Sequence, residues 1–213
     1  PKHLLMSLLA ALALVGAAHA ASAPAKPAVP SGRTETAVFA GGCFWSMEVD
    51  FEGVPGVRSV TSGYTGGAVA NPSYDDVSTG RTGHLESIEV VFDPTRVTYT
   101  ALLDRFWRAI DPTQADGQMY DIGSEYHTAV FTTTPEQWRI ANESKAALER
   151  SRVLKKPIAT AIRRAGPFYP AEEYHQDYYR KNPEHYHAYR AACGRDTRTF
   201  ELWGSSQTLP LVH

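Results

Sequence analysis

The residue best suited to chemistry in this chain is Cys43, which stands between a short apolar run and a helical pattern. The run over residues 36–40 is typical of a buried strand, and the pair Gly41-Gly42 permits a tight turn after it. Three apolar residues then recur at helical spacing: Phe44, Met47 and Phe51. We therefore expect Cys43 at a helix N-terminus, where unpaired N–H groups and the helix dipole favour a thiolate and lower the pKa of the thiol. The alternative is a buried cysteine that only packs.

Glu86 is the second candidate, near the start of a predicted strand over residues 84–92. Side chains alternate between the two faces of a strand, so Glu86 shares its face with three apolar residues: Ile88, Val90 and Phe92. A carboxyl group on such a face is partly desolvated and has a raised pKa, which suits a proton donor near neutral pH. The alternative is that Glu86 lies close enough to the strand's start to reach solvent.

Three kinds of chemistry compete for these residues. In a redox enzyme, Cys193, the other of the two cysteines, would condense with oxidised Cys43 to form a disulfide. In a cysteine peptidase, Cys43 would be the nucleophile and His175 its base. In a metal site, five side chains would share the ion: His84, Glu86, His175, His185 and His187. The metal hypothesis is the weakest, because no spacing among them matches a ligand pair on one helical face. The second thiol tilts the balance modestly toward redox chemistry.

The order of predicted elements indicates an α+β domain layered around one sheet. The predicted strands are residues 36–40, 57–64, 84–92, 126–131 and 158–162, and the predicted helices are the one after Cys43, 99–110 and 134–151. Residues 68–83 are predicted as a long surface loop, a type of segment that tends to carry function. The aromatic- and histidine-rich end of the chain is predicted as a long irregular C-terminal segment with one or two short helices.

The beginning of the chain has the features of an export signal. Lys2 precedes an apolar run over residues 4–18, and small residues at 18 and 20 fit a signal-peptidase site after Ala20. Residues 21–33, rich in Ala, Pro and Ser, are predicted as a flexible linker, and residues 34–213 as a single catalytic domain. We therefore expect an exported, periplasmic protein, with an uncleaved membrane anchor as the alternative.

The composition is that of an ordinary globular protein. The chain has 213 residues, of which 43% are hydrophobic, and a formal net charge of -2. This balance predicts no basic face, so nucleic acid is not an expected partner. Two cysteines are too few for a disulfide-stapled scaffold. We expect a monomer.

Six short blocks follow one another in order between about residues 36 and 183. They are Gly41-Gly42-Cys43-Phe44-Trp45, Gly63-Tyr64-Thr65-Gly66-Gly67, Asn71-Pro72-Ser73-Tyr74, Gly83-His84-Leu85-Glu86, Asp121-Ile122-Gly123-Ser124-Glu125-Tyr126 and Tyr174-His175-Gln176-Asp177-Tyr178. Together they resemble the A-type peptide methionine sulfoxide reductases. Six blocks in the right order make the resemblance highly specific, whereas the glycine-cysteine-aromatic block alone is only moderately so.

The resemblance implies a role for each matching residue. Cys43 would attack the sulfoxide sulfur, while Phe44 and Trp45 would form an apolar wall for the methyl group on that sulfur. Glu86 would protonate or hydrogen-bond the sulfoxide oxygen. Three further residues would assist: Tyr74 and Tyr126 by donating hydrogen bonds to the oxygen, and Asp121 through polar contacts. The resemblance also implies a two-layer, mixed-sheet fold with a ferredoxin-like core, and selectivity for the S epimer at sulfur.

The implied cycle is thiol-dependent and needs no cofactor. Reduction of the sulfoxide, free or in a protein, would leave a sulfenic acid on Cys43, and Cys193 would resolve it as a disulfide. An external dithiol protein of thioredoxin type would then reduce that disulfide. Such an activity repairs oxidised proteins. In an alternative hypothesis Cys193 is a bystander thiol, and in another the tyrosine-rich segment makes the chain a non-catalytic peptide- or glycan-binding module.

Overall fold

The computed structural model describes residues 32–204. The predicted signal peptide, residues 1–20, lies outside the described residues, as do most of the predicted linker and the last nine residues of the predicted catalytic domain. The leader, its cleavage and export therefore stay predictions. Within the described part, none of the helices combines the length and the apolar character needed to cross a membrane.

A six-stranded mixed sheet forms the centre of the described chain. In chain order the strands are β1 (Glu35–Gly41), β2 (Val57–Thr65), β3 (Leu85–Phe92), β4 (Gly117–Gln118), β5 (Asp121–Ile122), β6 (Thr128–Thr132), β7 (Ala161–Arg164) and β8 (Phe168–Pro170). The sheet has the order β7-β6-β1-β3-β2-β8, while β4 and β5 pair with each other. Only β6 and β7 are parallel neighbours, and the other pairs in the sheet are antiparallel. The prediction of a mixed α+β sheet is confirmed.

Seven α-helices flank or follow these strands in the described chain. They are α1 (Phe44–Phe51), α2 (Tyr74–Ser78), α3 (Tyr99–Ala109), α4 (Pro135–Ser151), α5 (Tyr178–Lys181), α6 (Pro183–Cys193) and α7 (Arg195–Trp203). The starts of α3 and α4 follow from local sequence. Thr98 accepts a hydrogen bond from the Ala101 amide, and Thr134 accepts one from the Gln137 amide, each at 3.1 Å. These side chains satisfy amides that a helix leaves unpaired at its first turn.

The main core lies between the sheet and helices α1 and α3. Its central ring is Phe39 of β1, whose centroid is 5.3 Å from that of Phe51 and 5.0 Å from that of Phe106. The apolar stripe of α3 is buried here: Leu102, Leu103, Phe106 and Trp107. A smaller cluster, including Val38 and Ala40, covers the other face of β1. Each large buried side chain contributes about 1.5–3 kcal/mol. Because both faces of β1 are buried, its apolar run is nearly continuous.

Two segments differ from the sequence prediction. Residues 68–83 contain the short helix α2, where Ser73 and Asp76 form a reciprocal capping box. The predicted irregular C-terminal segment instead folds into three helices, α5 to α7. Helices α6 and α7 bury only two side chains each. Their sequences therefore lack the apolar periodicity that predicts a helix.

Candidate active site

Cys43 sits at the turn between β1 and α1, as predicted. Its carbonyl accepts hydrogen bonds from the amides of Ser46 and Met47 at 3.2 and 3.3 Å, so it caps the helix through its backbone. Gly42 has φ +79°, and a Cβ atom there would lie 2.5 Å from Cβ of Gln118. The turn therefore requires glycine, and its close approach to β4 brings the neighbouring strand β5 toward Cys43.

The predicted thiolate at Cys43 is wrong for this state of the protein. Cys43 is only 7% exposed, and burial raises the pKa of its thiol far above the ordinary value. The nearby Glu86 carboxyl raises the pKa of Cys43 further. The first amide of α1, that of Phe44, donates to Glu86 at 3.0 Å. The Trp45 amide lowers the pKa of Cys43, but burial raises it by more. Cys43 is therefore a protonated thiol in this structure.

Glu86 occupies the position that the strand phase predicts. It is 3% exposed and projects from the same face of β3 as the core residues Ile88 and Val90. Burial raises its pKa to about 8, partly offset by the hydrogen bond from the Phe44 amide, while the charges of Asp121 and Glu125 raise it further. Glu86 is therefore a neutral carboxylic acid at pH 7, and it can donate a proton or a hydrogen bond beside Cys43.

Tyr74 and Tyr126 converge on this carboxyl group from two different loops. Tyr74 is the first residue of α2, and Tyr126 ends the short 3-10 turn Ser124–Tyr126 before β6. The Tyr126 hydroxyl lowers the pKa of the Tyr74 phenol, so the two hydroxyl groups lie near each other. Burial and the Glu86 charge raise the pKa of both, so both phenols remain hydrogen-bond donors across the ordinary pH range. Both phenols lie near enough to Cys43 for a charge on its sulfur to raise their pKa, so these groups surround one pocket.

Trp45 is half-buried and forms the outer wall of the pocket, where a ring stack and a hydrogen bond hold it. Its indole stacks on Tyr178 with the ring centroids 3.7 Å apart and the planes 3° from parallel. Its Nε1 donates to Nδ1 of His175 at 3.0 Å. Phe44 is 1% exposed, belongs to the main core and contacts the His175 ring at 5.0 Å, so it backs the pocket from inside. This wall is apolar, as a methyl-binding surface requires.

The contacts of His175 argue against the peptidase hypothesis. Because Nδ1 accepts from Trp45, the ring proton lies on Nε2, which has no hydrogen-bond partner among residues 32–204. Burial lowers the pKa of His175, so the ring is neutral at pH 7. The side chain that lowers the pKa of Cys43 is the Tyr189 hydroxyl and not the His175 ring. His175 therefore orients Trp45 and is not paired with the thiol as a general base would be.

The proposed metal ligands do not come together. His84 bonds the backbone of residues 67 and 69, and His185 bonds the Tyr178 hydroxyl. Among residues 32–204, the one group with three possible ligand atoms close together is Glu48, Glu52 and Asp177. Glu48 accepts from the Asp177 amide, Glu52 accepts from the Tyr179 hydroxyl, and the Asp177 carboxylate accepts from Arg180. None of the five predicted ligands is among them.

Asp121 and Tyr189 complete the surroundings of the thiol. Asp121 lies on β5, and its Oδ2 accepts a hydrogen bond from the Tyr189 hydroxyl at 2.5 Å. The same hydroxyl lowers the pKa of the Cys43 thiol, so it lies near that side chain, and the Tyr189 ring meets Trp45 edge-on at 5.7 Å. Sequence reasoning missed Tyr189. Its only signal is its position four residues before Cys193, one helical turn away on the same face of a helix.

Cys193 is the last residue of α6. Residues before and after it in the chain lie against the turn that carries Cys43. It is 4% exposed, and its thiol donates to the Arg190 carbonyl at 3.3 Å. Tyr189, one turn earlier, lies near Cys43, while Arg195, two residues later, donates to the Gly41 carbonyl at 2.7 Å. Both cysteines are free thiols in this structure. The fully buried Arg195 was also missed, because a buried arginine runs against the usual preference for exposure.

Comparison with known proteins agrees with this geometry. The family model described as peptide methionine sulfoxide reductase matches residues 35–207. The chain belongs to the peptide methionine sulfoxide reductase family. It is thus an oxidoreductase that acts through thiol chemistry, and the expectation from the six sequence blocks is confirmed. The residues matched include the whole sheet, the pocket and the three C-terminal helices.

Similar proteins of this family cover nearly all of the described chain. A peptide methionine sulfoxide reductase MsrA of Bacillus licheniformis is 49% identical over 172 residues, 81% of this chain and 95% of that protein. MsrA 2 of Caulobacter vibrioides is 47% identical over 203 residues, 95% of this chain and 99% of that protein. The solved structure of methionine sulfoxide reductase A of Corynebacterium diphtheriae is 36% identical with a TM-score of 0.64, covering 72% of this chain and 77% of that one. Reduced Mxr1 of Saccharomyces cerevisiae is 30% identical with a TM-score of 0.66, covering 70% and 86%.

Proposed function

We propose that this peptide methionine sulfoxide reductase reduces methionine S-sulfoxide, free or within proteins, by attack of Cys43 on the sulfoxide sulfur. One observation carries the proposal: a buried cysteine thiol and a neutral carboxylic acid share a pocket with an apolar wall. Reduction of a sulfoxide needs each of these parts. The thiol attacks the sulfur, the carboxylic acid supplies a proton to the oxygen, and the apolar wall binds the methyl group. Activity of this kind repairs oxidised proteins.

The first step transfers the sulfoxide oxygen from the substrate sulfur to the sulfur of Cys43. The S–O bond of the sulfoxide breaks, and an S–O bond to Cys43 forms. Cys43 is oxidised by two electrons to the sulfenic acid, and the substrate sulfur is reduced by two electrons to the thioether of methionine. Glu86 supplies the proton that makes the oxygen a better leaving group, and Tyr74 and Tyr126 add hydrogen bonds to it. The raised pKa of Glu86 supports this role, because only the neutral acid can donate.

Cys193 then resolves the sulfenic acid. Its thiol attacks the Cys43 sulfur, water leaves, and a disulfide forms between the two cysteines. The position of Tyr189 near Cys43 and the hydrogen bond from Arg195 to Gly41 support this assignment, since they place the end of α6 against the nucleophile's turn. Reduction of the disulfide requires two electrons from an external dithiol, for which a protein of thioredoxin type is the expected donor. No cofactor takes part in this cycle.

The same framework supports a ferredoxin-like description of the core. The βαββαβ series β1-α1-β2-β3-α3-β6 has the spatial order β6-β1-β3-β2, with antiparallel neighbours throughout. Strands β7 and β8 extend it at the two edges. This arrangement places the β1–α1 turn and the start of β3 side by side, so Cys43 and Glu86 come from adjacent strands.

The test is reduction of each sulfoxide epimer with dithiothreitol as the electron donor. The intact protein should convert the S epimer and leave the R epimer. Cys43→Ser should lose nearly all turnover, because a hydroxyl cannot take the place of the nucleophilic sulfur, whereas Cys193→Ser should keep it with this small dithiol. Retention of most turnover by Cys43→Ser would exclude Cys43 as the nucleophile, and release of an amide or ester product would restore the peptidase hypothesis.

A further inference from the structure

Arg195 is fully buried, although its hydrogen-bond acceptors are neutral. Its guanidinium donates to the carbonyls of Gly41, at the end of β1, and Ala109, at the end of α3, each at 2.7 Å. Its Nε has no hydrogen-bond partner in the described part of the chain. Removing a guanidinium from water costs free energy, and neutral carbonyls offset that cost less well than carboxylates do. The burial of Arg195 therefore needs an explanation other than stability.

Arg190 binds the other side of the turn that carries the nucleophile. It pairs with Asp50 of α1 at 3.0 Å, and it donates to the carbonyl of Ser46, three residues after Cys43, at 3.4 Å. It also pairs with Asp196 of α7 at 2.7 Å, which connects α6 to α7 across the joint between them. Because the Arg190 and Asp50 side chains are each only 17% exposed, salt screens their pair less than a surface pair.

Cys193 lies between these two anchors in the chain. It follows Arg190 by three residues and precedes Arg195 by two, it is 4% exposed, and its thiol donates to the Arg190 carbonyl at 3.3 Å. The anchors reach backbone carbonyls two residues before and three residues after Cys43. The segment that carries Cys193 is thus fastened to both sides of the Cys43 turn.

Apolar packing contributes little to holding this segment in place. Helix α6 buries Tyr186 and Cys193, and α7 buries Arg195 and Trp203. The turn that carries Cys43 has support of its own, because β1 pairs with β3 and β6 and α1 buries five of its eight residues. The two arginines therefore matter more for the position of Cys193 than for the position of Cys43.

We propose that Arg190 and Arg195 are positioning residues that hold the Cys193 thiol in reach of oxidised Cys43. This inference rests on the proposed function and concerns its second step. There the Cys193 thiol attacks the sulfur of the Cys43 sulfenic acid, so that an S–S bond forms and the S–O bond breaks. The thiol proton leaves with the hydroxyl group as water. A thiol held beside its target reacts as if it were present at a high concentration, because folding has already brought the two groups together.

The experiment replaces each arginine by leucine, which removes the charge and all N–H donors of the side chain. The variants are Arg190→Leu, Arg195→Leu and the two together, made in the full chain. The matched control is Arg198→Leu. Arg198 also lies on α7, but its ion-pair partners at 2.8 and 3.0 Å, Asp111 and Glu201, lie outside the Cys43 turn.

Two measurements separate the first step from the second. Each reduced protein is mixed with free methionine S-sulfoxide and no reductant, and quenched samples are analysed for methionine, for the disulfide between Cys43 and Cys193, and for sulfenic acid trapped on Cys43 by dimedone. Equilibration of each protein with glutathione redox buffers then gives the effective concentration of one thiol at the other.

We expect the double variant to form the disulfide about 10²-fold more slowly than the parent, a loss that a displacement of about 1 Å can cause. Each single variant should lie between the two. Trapped sulfenic acid should increase and the effective concentration should fall in the same order, while methionine formation stays close to the parent's rate. Lysine keeps the charge and part of the reach, so Arg190→Lys and Arg195→Lys should form the disulfide faster than the leucine variants. Arg198→Leu should match the parent in every measurement.

Several outcomes would overturn the positioning role. Disulfide formation in the double variant as fast as in Arg198→Leu would do so, and faster formation would show that the anchors hold Cys193 away from Cys43. Equal losses in methionine formation and in disulfide formation would assign the arginines to the general structure of the site. If circular dichroism shows that Arg195→Leu does not fold, Arg190→Leu and Arg195→Lys decide the question by the same criteria.

Failure of the proposed function has a different signature. Absence of methionine formation in the parent protein would contradict the proposed reaction itself. Methionine formation in the parent without a disulfide between Cys43 and Cys193 would leave the first step intact and overturn both the resolving role of Cys193 and its positioning by the arginines. The failures are therefore distinguishable.

Discussion

At the scale of single residues, the pocket depends on keeping one carboxyl group protonated. Glu86 has its pKa raised to about 8 by burial, although the Phe44 amide stabilises its ionised form through a 3.0 Å hydrogen bond. Desolvation therefore outweighs a good hydrogen bond at this site. The same desolvation acts on Cys43, but there it works against the reactive form, because a thiolate carries the charge that burial disfavours.

The first prediction at this scale concerns Glu86→Gln. Glutamine can hydrogen-bond the sulfoxide oxygen but cannot protonate it, so we expect a single-turnover rate about 10²-fold below the parent at pH 6 to 7. The neutral acid of the parent is lost as the pH rises through about 8. The ratio of parent to variant rates should therefore fall over that interval. The ratio is measured by quenching the reactions at pH 6 to 9 and quantifying the methionine formed.

Glu86→Ala provides the comparison for that measurement. It removes the hydrogen bond as well as the proton and leaves the Phe44 amide without its partner, so its rate should be lower than that of Glu86→Gln. Parent-like rates in both variants would remove the carboxyl group from the mechanism. A rate ratio that stays constant from pH 6 to 9 would show that Glu86 acts only as a hydrogen-bonding group.

Residue positions were more predictable from the sequence than residue states. The alternation of β3 was enough to place Glu86 on the buried face, because a strand's phase is a local property. The protonation of Cys43 was not predictable, because it depends on groups from β3 and α6 that are 43 and 146 residues away in the chain. The spacing between Cys43 and Tyr189 carries no local signal, so their proximity became visible only in three dimensions.

At the scale of elements, the end of α6 carries Cys193, the thiol that we propose resolves oxidised Cys43. Cys193 is the last residue of this helix, and Gly194, with φ +74°, separates it from α7. Arg190 fixes the helix to α1 through Asp50 at 3.0 Å, and Arg195 fixes the start of α7 to the end of β1. The thiol is therefore held by its neighbours close to the turn that carries Cys43, at a joint where glycine lets the backbone change direction.

We expect Cys193→Ser to separate the two halves of the reaction. With a thioredoxin-type protein as the reductant it should complete one turnover and then stop, because such a protein reduces disulfides and this variant cannot form one. The parent should continue, and its tryptic digest after one turnover should contain a peptide linked through both cysteines. Multiple turnovers of the variant at the parent's rate would leave Cys193 as a bystander.

Helices that have clear local sequence signals were predicted from the sequence. Elements that depend on contacts with distant parts of the chain were not. The threonine cap and first-turn proline of α4 and the apolar stripe of α3 are local signals, and both helices were predicted with nearly their observed bounds. Strand β8 and helix α7 were missed, because each is defined by what it packs against. For α7 that support is the buried guanidinium of Arg195, which bonds the carbonyls of Gly41 and Ala109 at 2.7 Å.

At the scale of the whole molecule, buried carboxyl groups link folding to pH. Glu48 of α1 is 1% exposed, and it accepts hydrogen bonds from the Asp177 amide at 3.0 Å and the Ser62 hydroxyl at 3.3 Å. Burial raises its pKa to about 7. Glu48 thus joins α1 to β2 and to the segment that carries Tyr178, and its neutral form is the one that suits the folded state. The family resemblance predicted the fold, but no sequence pattern distinguished this glutamate from an exposed one.

The last prediction is that Glu48→Gln flattens the pH dependence of folding. The native state binds a proton at Glu48 that the unfolded chain, with an ordinary glutamate pKa of 4.5, has released. The stabilisation is therefore complete below pH 4.5 and is lost as the pH rises through about 7. Its size is on the order of 2 to 3 kcal/mol, and the parent should lose that much more free energy of unfolding than Glu48→Gln between pH 5 and 8.

Urea unfolding of both proteins at pH 5, 6, 7 and 8 measures the difference. The lowered pKa of His175 acts in the opposite direction, since a neutral buried imidazole gains stability as the pH rises, and Glu86 acts in the same direction as Glu48. Both groups are present in parent and variant, so they cancel when the two curves are subtracted. The exposed Glu184 supplies the control, and Glu184→Gln should follow the parent. Parallel curves for the parent and Glu48→Gln would mean that Glu48 is already ionised in the folded protein, held by the Asp177 amide against the cost of burial.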